Sequence, residues 1–376
     1  MDRVILSAPS PISRTAIFRH VAETLAVAAV GGVTLGLLGI PAGWLSGAIL
    51  AVAAAALAGR PMLIPTPLMR ALLVLIGMSI GAVVTPETLQ GIAAYPLSIA
   101  GLIVAMICIS FGAAAYLRLV HGWDTITAYL AAAPGGLSQV MALGTELNAD
   151  LRAIAIVQTV RVAIVAVGLP AGLSMLGFVG HATRSIGGPF NPAQIGDLAI
   201  LVVASTAAAI IAYRIRFPGG LMFGAMLTSA VLHGSGLIHA VMPWWVVNTA
   251  MIAFGAVTGA RFANTSLRLL LHFIGAAFGS FAVAVAIAAV FAAGLVSILS
   301  LPIAEVMIAF APGAVDAMML LALALHLDPV YVGAHHLVRI FFISLTMPLV
   351  ARRHARQLKL PDGAPKPPLP RPPFED

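Results

Sequence analysis

Charged residues and cysteine are what this sequence has least of. Charged residues make up 9% of 376 and aromatic residues 7%, whereas hydrophobic residues reach 61% and the mean hydropathy is +1.05. No soluble fold buries that much apolar surface, so the composition predicts a polytopic integral membrane protein. The one cysteine, Cys108, excludes a disulfide within the chain and disfavours a thiolate metal site.

The sequence also lacks the motifs of the common enzyme classes. We find no nucleophile–base set, no phosphate loop of the Walker type and no dinucleotide fingerprint, so we predict neither an enzyme nor a cofactor. The ten histidines do not cluster at metal-ligand spacings, so we predict no metal site. The net charge of +7 lies in loops and tails, where cytoplasmic arginine and lysine are expected, and it does not indicate a nucleic-acid partner.

What the sequence does contain is one pattern twice. An apolar segment is interrupted by Ala-Pro-Gly-Gly at 133–136 and by Ala-Pro-Gly-Ala at 311–314, 178 residues later. The same offset relates Gly77 to Gly255, Asp150 to Asp328 and Arg161 to Arg339. The chain is therefore two copies of one unit. The predicted divisions are a cytoplasmic leader (1–20), repeat 1 (21–177), a linker (178–193), repeat 2 (194–350) and a basic, then proline-rich, cytoplasmic tail (351–376).

The orientation of the two copies depends on the broken segments, 124–147 and 302–325. Each arm of about 11 residues would be roughly 16 Å long as helix, or half of a hydrocarbon core of roughly 30 Å. The segment could therefore cross once with a break, or enter and return as a hairpin. A hairpin places eight loop arginines on the cytoplasmic side and one, Arg184, outside, whereas a crossing divides them four to five.

We therefore predict an all-α integral membrane protein built of two inverted repeats. Each would contain about five transmembrane helices and one Pro-Gly-broken re-entrant hairpin. The eight arginines placed inside are Arg60, Arg70, Arg118, Arg152, Arg214, Arg216, Arg261 and Arg268. Inverted repeats with broken helices are typical of secondary transporters, which bind substrate near the midplane.

The candidate site follows from the breaks and from the last helix of each repeat. A broken helix exposes backbone N–H groups and the positive end of a helix dipole, which suit an anion. Arg161 and Arg339 lie inside otherwise apolar runs and normally require a cavity or a partner there. The predicted substrate-binding residues are Pro134, Gly135, Gly136, Ser138, Gln139, Gln158, Arg161, Pro312, Gly313, Asp316, His336 and Arg339.

Two points about this site stay open at the level of sequence. The arginines could bind an anionic substrate, or they could form internal ion pairs, Arg339 with Asp316 or Asp328 and Arg161 with Asp150 or Glu146. These roles are compatible if binding breaks the pair. Asp316 and Glu305 are the candidates for coupling to H⁺ or Na⁺, and Asp316 falls on the neutral Ser138 of the first copy.

The motifs at 41–48 (PAGWLSGA), 133–140 (APGGLSQV), 311–316 (APGAVD) and 335–339 (HHLVR) resemble the bacterial membrane AbrB family. The resemblance extends over about residues 21–350. It implies a bacterial inner-membrane protein with an internal duplication. Members of this family carry two functional labels, ammonia monooxygenase and regulator of gene expression. A monooxygenase needs a copper or iron site, which the histidines here do not form, so we do not predict that activity.

Our functional prediction is a secondary transporter or exporter of a small anionic or zwitterionic solute, driven by H⁺ or Na⁺ through alternating access. The alternative is a membrane-embedded sensor or regulatory protein that affects gene expression indirectly, and a channel is the third possibility. The expected partners are the small-molecule substrate, the coupling ion, the lipid bilayer and a second copy in a homodimer. Both termini are predicted to be cytoplasmic.

Overall fold

The computed structural model describes residues 14–83, 95–133, 137–179, 187–263 and 265–357, and this part of the chain is almost entirely helical. Helices long and apolar enough to cross a membrane lie at Thr15–Leu37, Tyr95–His121, Leu151–Met175, Pro192–Arg214 and Leu267–Leu299. The protein is therefore a helical, multi-pass membrane protein. The α-helices of the described residues are α1 (Arg14–Leu37), α2 (Gly43–Leu57), α3 (Thr66–Gly81), α4 (Tyr95–His121), α5 (Thr125–Ala132), α6 (Leu137–Glu146), α7 (Leu151–Met175), α8 (Ile195–Arg214), α9 (Gly220–Gly234), α10 (Trp244–Gly259), α11 (Leu267–Leu299), α12 (Ile303–Phe310), α13 (Val315–Ala324) and α14 (Pro329–Gln357).

The helix bounds repeat along the chain, so that α1–α7 correspond in order to α8–α14. Both ends of α3, α5 and α6 recur 178 residues later in α10, α12 and α13, and both ends of α2 recur after 177 residues in α9. Backbone positions with positive φ recur in the same way. The pairs are Gly39 and Arg216, Ala42 and Gly219, Gly59 and Gly236, Gly122 and Ser300, and Asn148 and His326.

The termini and the linker differ from the predicted divisions in detail. Helix α1 begins at Arg14, within the predicted leader, whose residues 1–13 lie outside the described part. Helix α14 continues to Gln357, into the predicted tail, whose remainder from 358 also lies outside it. In the predicted linker, residues 180–186 are outside the described part, while Gly188 donates its N–H to Met242 and accepts from that of Trp244.

The first broken segment doubles back on itself. The side chain of Asp124 accepts hydrogen bonds from two N–H groups in the first turn of α5 and caps that helix. The backbone N–H of Asp150, which follows α6, donates to the hydroxyl of Thr127 in the same first turn at 3.0 Å. Because the end of α6 thus lies beside the start of α5, the two helices form a hairpin.

The second broken segment has the same arrangement. The backbone N–H of Asp328, which follows α13, donates to the carboxylate of Glu305 in the first turn of α12 at 3.2 Å. Glu305 occupies the position of Thr127, and Asp328 that of Asp150. Each of these aspartates also caps the next helix, α7 or α14, through its side chain.

The two copies contact each other reciprocally through glycine faces. A Cβ on Gly77 or Gly81 of α3 would lie 2.3 Å from the backbone oxygen of Met222 or Met226 in α9. A Cβ on Gly255 or Gly259 of α10 would lie 2.8 or 2.9 Å from the oxygen of Leu45 or Ile49 in α2. Since α2 corresponds to α9 and α3 to α10, the same close helix contact is made twice, and small residues make it possible.

Candidate functional site

The two hairpin tips differ in how much of them the structure describes. Pro134, Gly135 and Gly136 lie outside the described residues, as do the side chains of Ser138 and Gln139. In the second hairpin Pro312 and Gly313 are buried, and the N–H of Gly313 donates to the backbone oxygen of Ala311 at 2.8 Å. The described residues therefore include the tip of the second hairpin.

Arg161 binds the C-terminal end of α5. We call α5 and α12 half-helices, because each is the first arm of a broken segment. Its guanidinium donates to the backbone oxygens of Ala131, Ala132 and Ala133 at 3.4, 3.1 and 2.9 Å. One turn earlier, Nε2 of Gln158 donates to the oxygen of Leu130 at 2.9 Å. These carbonyls have no helical partner because α5 stops at Ala132, and they form the negative end of its dipole. The arginine therefore caps the half-helix.

Arg339 does the same in the second hairpin. Its guanidinium donates to the backbone oxygens of Ala309 and Ala311 at 2.9 and 2.7 Å, at the end of α12. His336 takes the place of Gln158 and faces the oxygen of Ile308, the counterpart of Leu130. Neither of its ring nitrogens forms a hydrogen bond of normal geometry, although the side chain has no exposed surface.

The predicted ion pairs of the two arginines are not formed. Among the described residues, the ion pair within 4 Å joins Arg60 to Glu23, near the start of the chain. Arg161 and Arg339 are 5% and 1% exposed, and they lie close enough to each other to repel. The Nε–H group of each guanidinium is buried and has no hydrogen-bond acceptor. Backbone carbonyls thus take the place of the carboxylates that were one of the two alternatives for these arginines.

The predicted ion-coupling residues lie on different parts of the second hairpin. Asp316 is in the first turn of α13, where a carboxylate complements the helix dipole. Its electrostatic partner is Arg261, in the turn after α10, and both side chains are half-buried. Glu305 is at the base of the hairpin, where it binds the N–H of Asp328.

A cavity of about 320 Å³ lies at the base of the second hairpin rather than at the arginines. It is bordered by Val83 after α3, Gly187 of the linker, Val247 of α10 and Leu327 after α13. Most of its lining is apolar. We do not assign the predicted site to it, because the buried charges and unpaired donors lie elsewhere, beside α5 and α12.

Sequence reasoning missed three buried residues between α4 and α14, Tyr95, Ser98 and Tyr331, and their contact with His335, which lies four residues before Arg339. Ser98 lies between the hydroxyl of Tyr331 and a ring nitrogen of His335, and Tyr95 packs edge-on against Tyr331. The available signal was a difference between the copies, because the residues 178 positions away from Ser98, Tyr331 and His335 are all alanine or valine.

Comparison with known proteins agrees with this architecture. The family model described as "Transition state regulatory protein AbrB" matches residues 44–355. A Bacillus subtilis (strain 168) protein, "Uncharacterized protein YhjN", is 23% identical over 351 residues, covering 86% of this chain and 90% of its own length. An Escherichia coli (strain K12) protein, "Putative regulator AbrB", is 26% identical over 323 residues, covering 83% and 90%. The resemblance inferred from the motifs is confirmed, and the chain belongs to the AbrB family of membrane proteins.

Proposed function

We propose that this protein is a secondary transporter of a small anionic or zwitterionic solute, coupled to an ion and working by alternating access in the bacterial inner membrane. The observation that supports this most directly is the pair of buried arginines at the ends of two half-helices. Each retains an unpaired Nε–H group, and His336, whose ring nitrogens form no hydrogen bond of normal geometry, lies beside Arg339. Donors that are buried without acceptors are costly, so a bound anion would relieve them.

The charge at this place also favours an anion. The negative end of a helix dipole is equivalent to roughly half an elementary charge, so each half-helix offsets about half of its arginine. Two arginines then leave roughly one positive charge in all, with no carboxylate in contact with either guanidinium among the described residues. A monoanion or the carboxylate of a zwitterion matches this remainder.

The hairpins support the inverted arrangement of the two copies. If α5–α6 enters and returns, each copy has five crossings, and the second copy is inverted relative to the first. The cavity fits this topology, since it places Val83 and Gly187 side by side. A single crossing by the broken segment would put these two residues at opposite membrane faces.

Cysteine labelling tests the topology. In a Cys108→Ser background, Phe190→Cys is expected to react with a membrane-impermeant maleimide from outside the cell, and Arg152→Cys only in inside-out vesicles. Both positions are exposed, so each should react when its face is accessible. The opposite result, Arg152→Cys outside and Phe190→Cys inside, would support six crossings per copy and parallel repeats.

The competing function is a membrane sensor, which the name of the Escherichia coli relative favours. A sensor that binds the same anion without moving it would share the binding site, so binding alone does not separate the two. Saturable counterflow of a bound solute in proteoliposomes does. Its presence would also exclude a channel.

A thermal-stability screen identifies the class of ligand. Purified full-length protein is expected to melt at a higher temperature with compounds that carry a carboxylate than with amines, because a ligand of the native state stabilises it. His336→Gln installs the residue that the first copy has at this position, so we expect it to fold. In this variant the carboxylate concentration needed for a given rise in melting temperature should increase by about tenfold, which is the effect of losing one buried hydrogen bond.

The matched control is His239→Gln, which changes an exposed histidine in the α9–α10 loop and should leave the response unchanged. Equal responses of wild type, His336→Gln and Arg339→Lys would place the ligand elsewhere. The arginines would then have a structural role alone.

A further inference from the structure

A polar cluster joins α4 to α14 beside the second hairpin. The hydroxyl oxygens of Ser98 and Tyr331 are 2.6 Å apart, and Ser98 is also hydrogen bonded to Nε2 of His335. The other ring nitrogen of His335, Nδ1, is 2.7 Å from the backbone oxygen of Tyr331. Ser98 and His335 have no exposed surface, and Tyr331 is 2% exposed. The cluster is thus enclosed by protein.

The cluster continues to the base of the hairpin. The rings of Tyr95 and Tyr331 are edge to face with centroids 5.4 Å apart, and the hydroxyl of Tyr95 donates to Asp328 at 3.4 Å. Asp328 in turn donates its backbone N–H to Glu305, which interacts electrostatically with both tyrosines. Both carboxylates are half-buried. Hydrogen bonds therefore connect Tyr95 to the partly accessible carboxylates on one side, and Tyr331 to the buried imidazole on the other, with the two tyrosine rings in contact between them.

The equivalent contact, between α11 and α7, is made without these groups. The counterparts of Tyr95 and Ser98 in α11 are Phe273 and Ala276, and those of Tyr331 and His335 in α7 are Ala153 and Val157. Packing between these helices therefore requires no buried hydroxyl or imidazole. Since burying polar groups costs free energy unless all are satisfied, their presence in one of the two equivalent contacts indicates a task beyond packing.

The hydrogen-bond directions in the cluster allow a proton to move inward. A carbonyl only accepts, so Nδ1 of His335 donates to Tyr331, and Nε2 of the neutral ring accepts from Ser98. A proton delivered to the Tyr331 hydroxyl lets Tyr331 pass its own proton to Ser98. Ser98 then passes its own proton to Nε2. One proton enters, one is held by His335, and both hydroxyl groups are restored.

We infer that Tyr331 and Ser98 form a proton pathway to His335, supplied from the carboxylates of Glu305 and Asp328 beside Tyr95, and that the proton held there is the ion coupled to transport. A sodium site would instead need several converging oxygen ligands, whereas the innermost group here is an imidazole. In the proposed topology the pathway opens to the outside. The existence of the pathway does not depend on the proposed transport function, but its role in coupling does.

The surroundings of His335 contain few other titratable groups. On α14 these are Tyr331, His336 and Arg339, and on α4 it is Tyr95. Helix α12 presents the ring of Phe310, and the carboxylate of α13, Asp316, interacts with Arg261. A change in the protonation of His335 would therefore act directly on His336 and Arg339, the proposed anion site.

Histidine ¹⁵N NMR of the full-length protein in lipid nanodiscs tests the pathway without any transported solute. The His335 signal is identified by its loss in His335→Gln. We expect this ring to gain a proton when the solution is acidified. Ser98→Ala and Tyr331→Phe should slow its exchange with water protons by about tenfold or more, because each breaks one hydrogen-bond step.

Ser110→Ala, which removes another buried hydroxyl of α4, is the control and should exchange at the wild-type rate. A His335 ring that stays in one protonation state when the solution is acidified would overturn the pathway. So would Ser98→Ala and Tyr331→Phe variants that melt earlier but exchange normally. If His335 titrates while no solute stabilises the protein or undergoes counterflow, the transport proposal fails and the proton pathway stands.

Discussion

Replacing Arg339 with alanine is expected to lower the free energy of unfolding by about 3–5 kcal/mol, the cost of removing one partner from a buried charged contact. The substitution removes the guanidinium donors from the oxygens of Ala309 and Ala311 at the end of α12, and Ala311 keeps only the N–H of Gly313. A buried acceptor without its donor and an unopposed helix dipole would remain. Chemical denaturation of the purified protein in detergent measures the change, and the melting temperature should fall with it.

Two matched variants show whether capping is the cause. Arg161→Ala removes the equivalent donor from α5 and should cost a similar amount. Arg268→Ala removes an exposed arginine at the start of α11 and should change stability by no more than about 0.5 kcal/mol. If Arg339→Ala is as mild as Arg268→Ala, the arginine does not hold the half-helix in place.

Substituting alanine for Gly77 is expected to destabilise the contact between the two copies by about 1–3 kcal/mol, as overpacking does. The new Cβ would lie 2.3 Å from the backbone oxygen of Met222, so one of the two helices must shift. A flexible side chain could move aside, but the obstacle here is backbone. The effect should appear as a lower melting temperature of the full-length protein.

The duplication supplies controls for this prediction. Gly255→Ala disturbs the equivalent contact of α10 with α2, where the nearest atom is the Cβ of Ala48 at 2.6 Å, and the two losses should add because the contacts are separate. Gly172→Ala in α7 meets no atom within 4 Å and should be neutral or stabilising by up to about 1 kcal/mol. Destabilisation by Gly172→Ala equal to that by Gly77→Ala would attribute the effect to flexibility rather than to contact.

Much of the helix plan was predictable because proline and glycine mark the ends of apolar runs. The predicted broken segment 124–147 corresponds to α5 and α6. The repeated motif made each such boundary visible twice. The start of α1 was less predictable, since the charged residues from Arg14 to His20 continue a helix that hydropathy alone would begin later.

The partners of the buried arginines were not predictable from residue types. We considered carboxylates because opposite charges attract, but Arg161 and Arg339 bind backbone oxygens 28 to 30 residues earlier in the chain. Every residue has a carbonyl, so composition gives no sign of which ones a side chain will reach. The interruption by Pro-Gly was the informative feature, because it creates carbonyls that need a donor.

The α4–α14 cluster was hidden for a different reason. Ser98 and His335 are 237 residues apart and belong to different copies. Only the packing of α4 on α14 brings them together. Comparing the copies position by position would have shown that Tyr331 and His335 stand where the first copy has Ala153 and Val157. The same comparison can be applied to other duplicated chains.

The difference between the hairpin bases has a thermodynamic consequence for alternating access. If the protein works by the alternating access proposed above, two identical inverted copies would give inward-open and outward-open states that are related by a two-fold axis and equal in energy. Glu305 stands where the first copy has Thr127, and His336 where it has Gln158, so the two states would then differ in energy. The preferred state would shift with pH, and the proton gradient would set the direction of the cycle.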